Sequence, residues 1–168
     1  MNKVLTSVFA LFIVVALQSC GPTPEDAIKY NDSIIDQVNL VINSDKILES
    51  MNKEVADMTS ASESLIKQIN SSIDIVKKGG GFDGKTDFMD MAIKYLTAYK
   101  GVVEGEYKEM IAINSKPSEQ ITEEDDTKYQ KMQEESDKKM QTASDEFDKF
   151  QKDFAVKYKF QIEDKSTK

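Results

Sequence analysis

Apolar residues recur at steps of three and four along most of this chain, which is the spacing of one face of an α-helix. The first helix is predicted to begin at Thr23-Pro24-Glu25-Asp26, where a capping residue, a proline and two acids suit a helix start. The pattern leaves its end open between Asn43 and Ser60, since the same spacing continues through that interval. The inward positions predicted for this helix are Ile28, Asn31, Ile35, Val38 and Ile42, with Ile34 and Val41 widening the face.

A second helix is predicted from about Ser60 to Lys78. A single helix from Pro24 to Lys78 would be about 80 Å long, too long for the rest of the chain to cover. Ser60 and Glu63 form a candidate capping box at the break. The run 79–84 is rich in glycine, which favours a flexible turn between helices with Phe82 folded onto the core. The predicted inward set is Leu65, Ile66, Ile69, Ile73 and Val76.

Two further helices follow. One is predicted to begin at Thr86-Asp87 and to stop at Pro117, and the other to begin near Thr122, where four acids complement the positive end of the helix dipole. Their predicted inward residues are Phe88, Met91, Ala92, Tyr95, Leu96, Tyr99, Val102, Val103, Tyr107, Met110 and Ile113 in the former, and Tyr129, Met132, Ser136, Met140, Ala143, Phe147, Phe150, Phe154 and Tyr158 in the latter. The predicted fold class is all-α, an antiparallel four-helix bundle that follows a cleaved lipoprotein signal peptide.

The first 19 residues have the pattern of a secretory leader. Lys3 supplies the positive charge, and the apolar run 4–17 is interrupted only at positions 6 and 7. That run has 14 residues, whereas a membrane-spanning helix needs about 20. An ordinary secretory peptidase favours a small residue three positions before the cut, where this chain has Leu17. Cys20 is the only cysteine, so it has no partner for a disulfide within the chain.

Leu17-Gln18-Ser19-Cys20 resembles the end of a bacterial lipoprotein signal peptide, with Gln18 larger and more polar than the usual residue. The resemblance implies cleavage before Cys20 and acylation of that cysteine with diacylglycerol and fatty acids such as palmitate. Because Gly21 replaces the aspartate of inner-membrane lipoproteins, it also implies the outer membrane, on its periplasmic face or at the cell surface. The predicted organisation is a signal peptide at 1–19, a lipidated tether at 20–23, a helical domain at 24–164 and a frayed tail at 165–168.

Composition narrows the chemistry. Removing residues 1–19 takes away one Lys and no acid, so the formal charge changes from −8 to −9. All 22 basic residues are Lys, and the chain contains no Arg, His or Trp. An acidic protein without a guanidinium group is not expected to bind nucleic acid, and without imidazole it lacks a common general base and metal ligand. We therefore expect no enzyme activity, no cofactor, no metal site and no catalytic residue, with Cys20 as the one named site.

Candidates for binding chemistry include three glutamates, a glycine pair and a set of aromatic residues. Glu104, Glu106 and Glu109 could suggest a diiron bundle, but such sites use Glu-x-x-His pairs. Gly101 and Gly105 lie one turn apart and are predicted to admit a neighbouring helix or to be merely tolerated. The aromatic set could line a ligand groove between helices, although core packing is the favoured interpretation. Its members are Tyr95, Tyr99, Tyr107, Tyr129, Phe147, Phe150, Phe154 and Tyr158.

Residues 27–35, 82–88, 99–107 and 154–158 resemble a family of small, functionally uncharacterised bacterial surface lipoproteins. The resemblance implies location and helical architecture and carries over no reaction. We expect a lipid-anchored protein of the cell envelope that acts as a binding or interaction module. Its partners would be the membrane, through Cys20, and an unknown envelope protein or ligand. The alternatives are an envelope enzyme that uses carboxylates only, such as a glycan hydrolase, and a structural or stress-related spacer.

Overall fold

The structure, a computed structural model, describes residues 21–45 and 55–162. The predicted signal peptide, Cys20 and the predicted tail 165–168 lie outside the described residues. Within the described ranges no helix combines the length and the apolar character needed to cross a membrane.

The described residues are all-helical and contain no β-strand, as the sequence predicts. A π-helical turn, Val103–Tyr107, joins α3 to α4, so that these three segments form one continuous rod. A short 3-10 turn, Ser118–Gln120, precedes α5. The described part of the chain thus has four helical rods. The helices are α1 (Pro24–Ser44), α2 (Val55–Gly79), α3 (Asp87–Val102), α4 (Lys108–Asn114) and α5 (Glu123–Tyr158).

The predicted cap at Thr23 is confirmed, and Thr122, predicted as the approximate start of the last helix, is its cap. The Thr23 hydroxyl accepts from the Asp26 backbone N–H at 3.2 Å, and the Asp26 carboxylate accepts from the Thr23 N–H at 3.0 Å. Thr122 and Asp125 form the same reciprocal pair, at 3.2 Å and 3.1 Å. Each pair provides acceptors for two backbone N–H groups that have no partner within the helix, and this fixes where α1 and α5 begin.

The buried face of α1 is rotated from the predicted one. Ile28 and Ile42, predicted to point inward, are 37% and 46% exposed. The core side is formed instead by Ala27, Asn31, Ile34, Val38 and Val41. Both sets follow helical spacing, and the small side chain of Ala27 made the correct one less apparent in the sequence. The helix ends at Ser44, close to the start of the interval that the pattern left open.

The predicted start of α2 at Ser60 is wrong. The helix already includes Val55, the first described residue after 45, and Ser60 lies inside it. Met58 is 1% exposed, so its burial favours helix in the turn before Ser60. The hydroxyl of Thr59 donates to the Val55 carbonyl at 3.1 Å, a bond within the helix. Short polar residues therefore mark a helix interior here rather than a break.

The helical rods enclose one hydrophobic core. The rods in contact include α1 with α2, α2 with α3, and α3 with α5. Nearly all the inward residues predicted for α3 and α4 are buried, with Met91 only partly so. The sequence prediction did not include Ser72, Glu106 or Ile111, which are also buried. The side chains that are less than 2% exposed include Met58, Leu65, Ile69, Leu96, Val102 and Met110.

The glycine-rich segment forms a tight hairpin turn. Phe82 and Lys85 exchange backbone hydrogen bonds of 2.8 Å and 2.9 Å. Between them, Asp83 and Gly84 have φ values of 53° and 69°, the left-handed pair of a two-residue hairpin loop. The Phe82 ring stacks on Tyr30 with centroids 5.0 Å apart. The prediction that Phe82 packs on the core is therefore confirmed.

Candidate binding site

An open cavity of about 430 Å³ lies between the end of α1, the rod formed by α3 and the π turn, and the middle of α5. We call it the tyrosine cavity, because three tyrosines contribute to its wall. The described residues that line it are Ile42, Asp45, Tyr95, Tyr99, Tyr107, Ser136, Asp137, Met140, Gln141 and Ser144.

The π turn positions the third tyrosine. An uninterrupted α-helix would place Tyr107 about 80° around the axis from Tyr99, because each residue of an α-helix advances by about 100°. The wider π turn holds more residues per turn and so reduces this rotation. Tyr107, the last residue of the π turn, consequently lines the same cavity as Tyr95 and Tyr99.

The three tyrosines are buried, but their hydroxyls are not equally engaged. Tyr95 and Tyr107 are each 6% exposed, and Tyr99 is 7% exposed. The Tyr99 hydroxyl donates a hydrogen bond to the Asp45 carboxylate. The Tyr95 and Tyr107 hydroxyls make no hydrogen bond to any of the residues that the structure describes. Neither hydroxyl oxygen is itself fully buried, since among the described residues only a carboxylate oxygen of Glu106 is both buried and without a partner. The phenol tips are therefore accessible from the cavity, where a ligand or water can bond them.

The environment of these phenols is apolar and negative. Burial is the main cause that raises the pKa of Tyr107 to about 12, and the charges of Asp45 and Asp137 add to it. Burial also raises the pKa of Tyr99 far above its usual value, as does its hydrogen bond to Asp45. The pKa of Tyr95 is raised by burial first and by Asp148 second. All three phenols therefore stay protonated at neutral pH and can both donate and accept.

The charged residues among the described lining of the cavity are both acidic. Asp45 and Asp137 line it, and no Lys is among its described lining residues, although Lys is common in the chain. Asp137 is exposed and makes no ion pair or hydrogen bond within residues 21–45 and 55–162. A cation that enters the cavity would meet the Asp137 carboxylate, and Asp45 would add its charge beside its hydrogen bond from Tyr99.

The aromatic residues that the sequence predicts as core divide into two groups. The phenylalanines pack against one another towards the glycine-turn end, where Phe88 lies 4.8 Å from Phe154 and 5.9 Å from Phe147 between ring centroids. The prediction of core packing is confirmed for them. Tyr95, Tyr99 and Tyr107 belong to the same core cluster, so core packing is confirmed for them too, and they also line the groove that was the alternative interpretation. The spacing of eight residues from Tyr99 to Tyr107 predicts a shared cavity only when a π turn lies between them.

The three glutamates considered for a metal site are each paired with a lysine. Glu106 is 6% exposed and bonds Lys139 of α5 through one oxygen. Glu109 pairs with Lys128 at 2.6 Å and Glu104 with Lys100 at 3.6 Å. Among the described residues, no three His, Cys, Asp or Glu side chains come together as metal ligands. These carboxylates therefore join α5 to the rod beside it or brace that rod's surface.

The glycine pair of α3 and the π turn does not admit a neighbouring helix. A Cβ placed on Gly101 or Gly105 would meet nothing within 4 Å. The prediction that these glycines allow a neighbouring helix to approach closely is therefore wrong. The other prediction, that they are merely tolerated, fits their open surroundings.

Cys20, the site residue named from the sequence, lies outside the described residues. Comparison with protein-family models, with curated proteins and with solved structures finds no match for this chain.

Proposed function

We propose that this chain is a lipid-anchored protein of the cell envelope, at the outer membrane or cell surface, that binds a small ligand in the tyrosine cavity. Its four rods would form an antiparallel bundle. The contacts of α1 with α2 and of α2 with α3 support that arrangement, since neighbouring helices of an up-and-down bundle pack together. The leader and Cys20 support the anchor.

The observation that carries the binding proposal is a pair of tyrosine hydroxyls, on the buried side chains of Tyr95 and Tyr107, that are accessible from the open cavity and have no partner among the described residues. A structural core would not need them, because phenylalanine fills the same space without a group that requires a hydrogen bond. Beside an open cavity, these hydroxyls can form hydrogen bonds with a bound ligand. The cavity volume of about 430 Å³ also falls in the range of about 300–1,000 Å³ that is typical of small-molecule sites.

The proposed anchor would leave the cavity accessible. Cys20 precedes the Thr23 cap by three residues, which span at most about 11 Å when extended. Asp45 follows Thr23 by 22 residues, and α1 therefore separates the two by about 33 Å. A lipid on Cys20 would hold the start of α1 at the membrane and the tyrosine cavity in the half of the domain farther from it.

The anchor is tested by labelling cells with radioactive palmitate and separating membrane from soluble fractions. The wild-type chain should carry label and sediment with membranes, and Cys20→Ala should do neither. Ser19→Ala is the matched control, because it keeps a small residue before the cut and should still be processed. A Cys20→Ala protein that stays labelled and membrane-bound would contradict the proposal.

One observation favours a second candidate function, an enzyme that uses carboxylates. Asp45 and Asp137 line the same cavity, and glycoside hydrolysis needs only two such groups. The test is incubation of the purified protein with peptidoglycan and with soluble glycans, followed by chromatography of the products. Release of fragments that Asp137→Asn abolishes would support an enzyme, whereas intact glycans would support the binding function.

A further inference from the structure

We propose that the ligand of the tyrosine cavity carries a primary ammonium group on a short apolar chain. This inference rests on the proposed function, in that it takes the cavity as the binding site, but it does not depend on the lipid anchor. It names the chemical class of ligand that the wall of the cavity fits.

Charge is the first argument. The wall contains Asp45 and Asp137 and, among its described residues, no Lys. The Asp137 carboxylate attracts a cation at close range and repels an anion. The net negative charge of the whole chain acts in the same direction. Another surface groove, between α3 and α5, has both signs in its lining, with three lysines beside Glu135 and Glu146.

Hydrogen bonding is the second argument. A primary ammonium group has three N–H donors and no acceptor. The hydroxyls of Tyr95 and Tyr107 are without partners among the described residues, and each can accept one of these donors. The Asp137 carboxylate, which also has no bonding partner there, can accept a third. An ammonium group thus supplies donors where the wall supplies acceptors, and nearby tyrosine rings add attraction for a cation.

The apolar part of the cavity wall is the third argument, and it indicates an apolar chain on the ligand. Ile42 and Met140 contribute apolar surface to the same wall, and Met side chains adapt to chains of different shape. A bare divalent cation fits less well, because only two carboxylates are present and no group of three ligating side chains occurs in the described part of the chain. An alkyl ammonium ion satisfies both the polar and the apolar side of the cavity.

The test uses the full chain, purified in detergent from whichever cell fraction contains it, with n-butylammonium as the probe. The chain has no Trp, and three of its six Tyr line the cavity, so tyrosine fluorescence should respond to a ligand that binds there. We expect n-butylammonium to give a saturable change. Neutral 1-butanol and anionic butyrate, which have the same number of carbon atoms, should give none. Equal binding of 1-butanol, or of a neutral hexose, would overturn the inference, as would no saturable change with n-butylammonium.

Matched variants locate the binding. Asp137→Asn should weaken binding of n-butylammonium at least about tenfold, because it removes a charged acceptor. Glu134→Gln changes the charge of α5 equally, and Glu134 is exposed and outside the cavity wall, so its affinity should equal that of the wild type. Equal affinity in both variants would show that the cation binds only to general negative charge and would overturn the inference.

The hydroxyls are tested in the same way. Tyr107→Phe keeps the ring and removes the acceptor, and it should weaken binding several-fold. Tyr158→Phe removes a hydroxyl that bonds Asp83 at the glycine-turn end, and it should leave affinity unchanged. Loss of affinity in Tyr158→Phe but not in Tyr107→Phe would overturn the inference. Because none of these measurements involves Cys20, they and the palmitate experiment fail separately.

Discussion

Replacement of Gly81 by alanine should destabilise the protein through a single backbone contact. A Cβ on Gly81 would lie 2.3 Å from the carbonyl oxygen of Lys85 and 2.9 Å from its carbon, where ordinary contacts are 3.4 Å or more. The backbone must therefore move by about 1 Å, and overpacking of this kind costs about 1–3 kcal/mol. The movement would disturb the hydrogen bonds between Phe82 and Lys85, and with them the packing of Phe82 on Tyr30.

The matched control is Gly101→Ala, at which a Cβ meets nothing within 4 Å. Gly101 lies within α3, where alanine is better than glycine by about 0.5–1 kcal/mol, so this variant should gain stability. The free energy of unfolding is measured by urea denaturation followed by circular dichroism at 222 nm. The two substitutions add the same methyl group and should have opposite signs. A Gly81→Ala protein as stable as the wild type would refute the reasoning.

Three further predictions concern stability. Leu96→Ala removes a fully buried side chain and should cost about 2–5 kcal/mol, whereas Leu40→Ala, at a side chain 47% exposed, should stay within about 0.5 kcal/mol in the same denaturation assay. Hydrogen bonds from Lys116 and from the Thr122 backbone lower the pKa of Asp125 to about 2. The contribution of Asp125 to the free energy of unfolding should therefore be lost as the pH falls from about 4 to 2, and Asp125→Asn should flatten that part of the plot of stability against pH. Lys139→Met should lower the thermal midpoint more than Lys138→Met, because only Lys139 pairs with the buried glutamate of the π turn; equal midpoints would contradict that role.

Helix starts were the most predictable part of the fold. Thr23 and Thr122 each lie three residues before an aspartate, and the capping box that follows from this spacing depends on neighbours in sequence alone. Ser60 and Glu63 have the same spacing, but they lie inside α2. The burial of Met58 favours helix there despite the spacing of Ser60 and Glu63. That burial depends on packing with other helices, so a few neighbouring residues cannot predict it.

The candidate site was only partly predictable. The sequence indicated that Tyr95, Tyr99 and Tyr107 share a helix, and a groove was considered as an alternative to core packing. It did not indicate the π turn, because such a turn has no distinct composition. Asp45 lies more than 50 residues from Tyr99 in the chain, so no local pattern could have placed its carboxylate against that hydroxyl.

The sequence by itself determined the helical class, the beginnings of α1 and α5 and the glycine turn, since each depends on the chemistry of adjacent residues. It also predicts a leader that ends at Ser19. The tertiary structure decided which side of α1 is buried, where α2 is helical and which tyrosines surround a cavity. Those features depend on how the rods pack, because burial is a property of the neighbours that a side chain meets and not of its own spacing. Cys20 thus remains a prediction from the sequence, and the tyrosine cavity is the contribution of the fold.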